Sequence, residues 1–171
     1  RRLLQKENYC NGNILKIPLT YRSNVPADKL IALTWQEEIK NSLKDCIDIE
    51  LNGVESTTVY KNLSLGIYTA VILDWTGAYS DPEAYLTPLL SCNEIVDGIC
   101  KKGESVYSGS FWGSNKVESL FLESEKISGI KRLEKLVEIE KIAASSIPYI
   151  PIWISSQKAW SQNKISKPIF N

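Results

Sequence analysis

The residues best suited to hold a ligand lie in one stretch of the sequence, Trp75-Thr-Gly-Ala-Tyr-Ser-Asp-Pro82. Its two aromatic side chains, Trp75 and Tyr79, offer flat apolar surfaces on which a small molecule can stack. Gly77 lies between them and allows a close approach to the backbone. We interpret this stretch as a binding loop.

The same residues also have structural explanations. Large aromatic side chains often complete a hydrophobic core, and a glycine often serves a tight turn. Asp81, directly before Pro82, is well suited to cap a helix by accepting a hydrogen bond from a first-turn amide. The residues alone leave both interpretations open.

Catalysis has less support in the sequence. The chain contains no histidine, which excludes Ser-His-Asp and Cys-His mechanisms and histidine-containing metal sites. It also has no phosphate-binding glycine loop, no nucleophile elbow and no CxxC pair. Asp74, Asp81 and Glu83 remain as acid–base candidates, and a helix cap explains the last two. We therefore expect no enzyme, no cofactor and no metal site.

Length and charge narrow the class of protein further. The chain has 171 residues, with 20 basic and 20 acidic side chains. This length predicts a single domain, residues 1–171, and the charge balance disfavours a nucleic acid as partner. The sequence has no methionine and opens with two arginines, so we interpret it as a fragment of a longer protein.

The four cysteines, Cys10, Cys46, Cys92 and Cys100, allow three pairings. An even number fits an oxidising compartment. Cys92 and Cys100 are the favoured pair because they bracket a short loop that contains glycine. Four reduced thiols remain an alternative.

Three stretches have the pattern of strands, and two helical stretches separate them. The strands are predicted at 14–21, 46–51 and 68–75, and the helices at 26–43 and 57–65. This order predicts an α/β fold, a mainly parallel sheet flanked by helices on both faces. Pro18 cannot donate to a ladder and predicts an edge strand or a bulge, whereas the apolar third strand should be buried on both faces.

The rest of the chain is predicted to be mostly helical. Helices are expected at 82–90, 115–126 and 129–146, with a Gly/Ser-rich excursion at 91–114 and an extended segment at 149–160. Ligands of open α/β sheets bind beyond the carboxyl ends of the parallel strands. Tyr21, at the end of the first strand, therefore joins the loop as a candidate ligand-binding residue.

Several motifs recur in one family in the same order. They include Leu3-Leu4 with Tyr9, Asn11 and Gly12, then Gly66-Ile-Tyr68, Asp74-Trp75 with Tyr79-Ser-Asp-Pro82, Trp112-Gly-Ser-Asn115, and Ile147-Pro-Tyr-Ile-Pro151-Ile-Trp153. Over nearly its whole length the chain resembles the extracellular solute-binding proteins of oligopeptide, dipeptide and nickel ABC importers, bacterial family 5. The Trp-x-x-x-Tyr-x-Asp-Pro loop is the most specific match.

The resemblance implies a periplasmic-binding-protein-like lobe, the carboxy-terminal half of a two-lobed trap whose amino-terminal lobe is missing here. Trp75 and Tyr79 would line the cleft, and the backbone of Thr76, Gly77 and Ala78 would approach the ligand. Peptide-binding members carry an aspartate where this chain has Ala78. Asp74 would then be a substitute counter-ion.

The function implied is that of a substrate-binding component. It would capture a small solute, whether an oligopeptide, a peptide-like compound or a chelate, and deliver it to an ABC permease in the membrane. The expected location is periplasmic or extracytoplasmic, either free or lipid-anchored. The alternative is a sensory or protein-interaction module with the same fold, which neighbouring genes for a permease and an ATPase would argue against.

Overall fold

The computed structural model describes residues 1–154 and shows two compact units. Of the described residues, the first unit comprises 1–75 and 106–111, and the second comprises 76–105 and 112–154. That the chain is one domain stays a prediction.

The first unit is a parallel sheet with helices between its strands. Its elements are α1 (Arg2–Lys6), β1 (Leu15–Arg22), α2 (Pro26–Leu43), β2 (Ile47–Val54), α3 (Ser56–Asn62) followed by a 3-10 turn (Leu63–Leu65), and β3 (Ala70–Val71). The strand order is β2-β1-β3, and both pairings are parallel. The predicted α/β class, with a parallel sheet flanked by helices, is confirmed.

The core of this unit follows from the periodicity of its elements. Along α2, Ile31 and Ala32 are buried and belong to one core with Leu19 of β1, Ile49 of β2 and Ile72, which directly follows β3. Leu19, Ile49 and Ile72 lie in or next to the three strands of the sheet, so one face of α2 covers residues from all three. Apolar burial of this kind contributes about 25 cal/mol per Å².

The prediction that Pro18 marks an edge strand or a bulge is wrong, because β1 is the middle strand of the sheet and its register with β2 is unbroken across Pro18. The Thr20 carbonyl accepts a hydrogen bond from the Ile72 amide, whereas the Leu15 amide donates to the Cys46 carbonyl next to β2. Since backbone groups alternate in direction along a strand, Pro18 faces the same side as Thr20. On that side β3 pairs only with Leu19 and Thr20 and does not reach Pro18. The N–H that proline lacks therefore costs the sheet no hydrogen bond.

The third predicted strand, 68–75, is much shorter in the structure. Only Ala70 and Val71 form ladder pairs, and both side chains are half-buried rather than enclosed on two faces. Ile72 is the buried residue of this stretch. An apolar run indicates only that a segment is suited to burial. The length of a strand also depends on how far the neighbouring strand extends alongside it.

The second unit is built from helices and one hairpin. Its elements are α4 (Glu83–Leu90), β4 (Glu94–Val96), β5 (Ile99–Lys102), α6 (Asn115–Ser124) and α7 (Ile130–Ser146), and a one-turn helix, α5 (Glu104–Tyr107), lies where the chain passes to residues 106–111. Leu90 of α4 joins Val117, Leu120 and Phe121 of α6 and Leu136 and Ile139 of α7 in one core. The three helices predicted in this part are confirmed.

The antiparallel hairpin β4–β5 lies within the Gly/Ser-rich excursion predicted for 91–114, where no strand was predicted. Asp97 and Gly98, at its tip, both have positive φ angles, 51° and 77°. A two-residue turn of this kind favours Asp-Gly, so the signal was present in the sequence. Of the predicted extended segment 149–160, residues 155–160 lie outside the described residues.

Each unit contains one disulfide. Cys92 pairs with Cys100 as predicted, and Cys10 pairs with Cys46. All four residues are buried. Within residues 1–154, no helix has both the length and the apolar character needed to cross a bilayer.

Candidate functional site

The predicted binding loop connects β3 to α4 in a backbone without regular secondary structure. Trp75 ends the first unit, and Thr76 opens the second. The side chains of Trp75 and Tyr79 are 47% and 59% exposed. Neither aromatic residue is therefore enclosed in a hydrophobic core. The structural alternative, that the two rings complete the edge of a core, stays a prediction.

Within the second unit, the loop surrounds an open concavity of about 430 Å³. It is lined by residues 76–82 of the loop and by Tyr85 of α4. This volume lies within the range of small-molecule sites, about 300–1,000 Å³. The structure thus brings Thr76, Gly77, Ala78 and Tyr79 together around one concave surface.

Tyr85 is a lining residue that sequence reasoning missed. It lies in the first turn of α4, where side chains tilt back toward the helix amino terminus and so toward the preceding loop. A Cβ atom built on Gly77 would stand 2.5 Å from Cε2 of Tyr85 and 2.8 Å from its Cζ. Gly77 is therefore required for the close approach of this ring to the loop backbone.

The end of the loop is held by Asp81. Its Oδ1 accepts the predicted hydrogen bond from a first-turn amide, that of Glu83 at 2.9 Å, although Pro82 rather than Asp81 occupies the N-cap position. Arg132 of α7 donates to both carboxylate oxygens at 2.9 Å. Arg132 also pairs with the carboxylate of Glu83. The Arg132 hydrogen bonds, helped by the Glu83 amide, lower the pKa of Asp81 below its ordinary value.

The start of the loop is held by Asp74, in the first unit. Nη1 of Arg22 donates to Oδ1 of Asp74 at 2.5 Å, and the Tyr60 hydroxyl donates to the same oxygen at 3.1 Å. Arg22 in turn binds Asp28 through Nε at 2.7 Å and Nη2 at 3.0 Å. Arg22 and Asp28 are both only 4% exposed, so this pair is a buried one.

The charges of this cluster shift the pKa values of Asp74 and Arg22. Desolvation works to raise the pKa of Asp74, but the hydrogen bond and the charge of Arg22 outweigh it, so the pKa lies below its ordinary value. The pKa of Arg22 is raised, because the hydrogen bonds that it donates to Asp28, together with the one to Asp74, outweigh the cost of burial. Asp74 and Arg22 are therefore both ionised at neutral pH.

Tyr21, the remaining candidate, lies at the carboxyl end of β1 opposite Gly53 of β2. A Cβ atom on Gly53 would stand 2.8 Å from the Cζ and hydroxyl of Tyr21. The ring therefore covers the backbone of its neighbouring strand, and it is partly buried against the core of the first unit. Its role as a ligand-binding residue stays a prediction.

The same geometry bears on the acid–base candidates. Asp74 is paired with Arg22, and Asp81 and Glu83 share Arg132. The arginine partners hold the pKa of Asp74 and of Asp81 below the ordinary value, which makes each of these two carboxylates a poor general base at neutral pH. Among residues 1–154, no three acidic or cysteine side chains come together as a metal site requires.

Comparison with known proteins supports the fold through structure rather than sequence. No protein-family model matches the chain, and no curated protein does. Solved structures do match: the Escherichia coli murein tripeptide binding protein MppA (21% identity, TM-score 0.69) and Haemophilus influenzae OppA in complex with RPPGFSPFR (20%, 0.69). A third is the ABC transporter-associated periplasmic binding protein DppA from Helicobacter pylori in complex with the peptide STSA (21%, 0.65).

These matches cover 86%, 83% and 88% of the chain but only 26%, 25% and 27% of the three solved structures. The chain thus spans about a quarter of their length. The resemblance found in the sequence is confirmed at the level of the fold, which is that of part of a periplasmic binding protein.

Proposed function

We propose that this chain provides one wall of a solute-binding cleft and that the complete protein is the substrate-binding component of an ABC importer. It would capture a peptide-like or other small solute between two lobes and present it to a membrane permease. The second lobe would be supplied by sequence outside this chain. The protein would act outside the cytoplasm and would catalyse no reaction.

The observation that carries the proposal is the exposed loop, whose residues 76–82 line a concave surface directly after Trp75. Trp75 and Tyr79 present large apolar areas to solvent in a loop that is anchored by ion pairs at both ends. Exposed apolar surface rimmed by polar groups marks ligand-binding grooves or interaction sites. The three solved structures of the same fold are of binding proteins, and two of them contain peptides.

The disulfides support the location. All four cysteines are paired, one pair in each unit. Disulfides persist in oxidising compartments and are rare in the cytosol. Folding outside the cytoplasm therefore suits this chain.

Trp75→Ala in the full-length protein tests the proposal directly. Loss of an aromatic contact in a binding site typically costs more than about 1.4 kcal/mol, so we expect affinity for the solute to fall by about tenfold or more. The measurement is titration of the solute that mass spectrometry identifies in the purified protein. Trp153→Ala is the matched control, because Trp153 is also exposed, at 58%, but lies outside the loop.

If the affinity of Trp75→Ala is unchanged while circular dichroism shows an intact fold, the loop is not part of the binding site. A full-length protein that retains no solute and binds none from a broad panel would argue against solute capture altogether.

A further inference from the structure

We propose that Tyr79 and Tyr85 form an aromatic subsite, which receives an uncharged apolar or aromatic group of the solute. The inference rests on the proposed function and names the chemistry that this wall accepts. Tyr85 then acts as a specificity-determining residue. Both rings belong to the second unit and line the same concavity.

The Tyr85 ring is held against the loop backbone on one side and is exposed to solvent on another. The Gly77 backbone lies against the ring so closely that a Cβ atom there would meet Cε2 at 2.5 Å. The side chain nevertheless remains 47% exposed. A ring held against backbone on one side loses little conformational freedom when a ligand contacts it on the other.

The charges around the concavity favour a neutral group. Asp81 is the one carboxylate among the lining residues, and Arg132 and the Glu83 amide already occupy its oxygens. The other polar side chains there, apart from the two tyrosines, are the hydroxyls of Thr76 and Ser80. A charged group placed against this wall would lose hydration without gaining a free counter-charge. An apolar group loses nothing of that kind and gains contact with two rings.

The test uses the full-length protein and four N-acetylated tripeptides, Ac-Ala-X-Ala, in which X is Phe, Ala, Lys or Glu. Calorimetry gives the affinity of each peptide for the wild type, Tyr85→Ala, Tyr85→Phe and Tyr107→Ala. Tyr107 is the control because it is 65% exposed and does not line the concavity. Mass spectrometry of the purified protein records any solute already bound.

We expect the wild type to prefer X = Phe, and Tyr85→Ala to lose about tenfold for that peptide while binding X = Ala nearly as before. Tyr85→Phe keeps the ring and should stay within about twofold of the wild type, as should Tyr107→Ala. Gly77→Ala keeps the ring but displaces it, so it should resemble Tyr85→Ala.

Two results would overturn the subsite alone: a protein that binds solute without preferring X = Phe, or a preference that survives in Tyr85→Ala. A wild type that binds no peptide and retains no solute would instead contradict the proposed function. The two failures are therefore distinguishable.

Discussion

Arg22 shows how a single buried charge organises the end of a sheet. The guanidinium has little exposed surface, so each of its donors needs a partner. Asp28, Tyr60 and Asp74 supply those partners from positions 6, 38 and 52 residues away in the chain. No local sequence pattern links residues so far apart, which is why neither the cluster nor the direction of Asp74 could be predicted.

The two carboxylates bound to Arg22 differ in exposure and therefore in their contribution to stability. Asp28→Ala leaves a buried guanidinium without its bidentate partner, and we expect a loss of about 3 kcal/mol in the free energy of unfolding. Asp74→Ala is the matched control: the Asp74 side chain is 73% exposed, so its loss should cost less than about 1 kcal/mol. Urea denaturation at neutral pH measures both. Equal losses would contradict the assignment of Arg22–Asp28 as the dominant pair.

At the scale of elements, local pattern predicted type better than extent. The helices of residues 26–43 and 130–146 were predictable, because apolar side chains recur at helical spacing over more than three turns. The middle position of β1 and the shortness of β3 were not predictable. Both depend on which strand lies alongside, and that is a property of the assembled sheet rather than of one segment.

The position of the candidate binding loop in the sequence was predictable, but the surface that it forms was not. Trp75 and Tyr79 stand out in the sequence, and the structure leaves both substantially exposed. Tyr85 was missed because its contact with Gly77 is visible only once α4 is placed. Arg132 was missed for the reason that applies to Arg22, since 51 residues separate it from Asp81.

The junction between β5 and α5 depends on one glycine. Gly103 has a φ of 145°, and a Cβ atom there would stand 2.7 Å from the Cα of Cys92. We expect Gly103→Ala to lower the free energy of unfolding by more than about 2 kcal/mol, because both a strained backbone and a backbone clash must be accommodated.

Gly98→Ala is the control for that prediction. Gly98 also has a positive φ, 77°, but nothing lies within 4 Å of its added Cβ. The decrease in the free energy of unfolding of Gly98→Ala should be limited to the conformational penalty of about 1 kcal/mol. Thermal denaturation of the two variants separates strain from clash, and equal melting temperatures would contradict the role assigned to Gly103.

At the scale of the whole molecule, the two disulfides divide between the two units. Cys10–Cys46 spans 36 residues that include β1 and α2, whereas Cys92–Cys100 spans only 8 residues around the β4–β5 turn. A crosslink stabilises a fold mainly by restricting the unfolded chain, and the effect grows with the size of the closed loop. The loop-entropy relation gives about 4 kcal/mol for the first and about 2.5 kcal/mol for the second.

Double alanine substitution of each cysteine pair should therefore lower the free energy of unfolding by different amounts, and each effect should be confined to the unit that contains the pair. Cys10→Ala/Cys46→Ala should cost more stability than Cys92→Ala/Cys100→Ala, and amide hydrogen exchange should rise in β1 and β2 for the first variant and in β4 and β5 for the second. Because all four cysteines are buried, alanine in their place also leaves small cavities. A reduced sample of the wild type has no disulfides but keeps the cysteine side chains, so it serves as the control for the cavities. If the two variants lost equal stability, or if exchange rose uniformly across the chain, the two units would not depend on their own crosslinks.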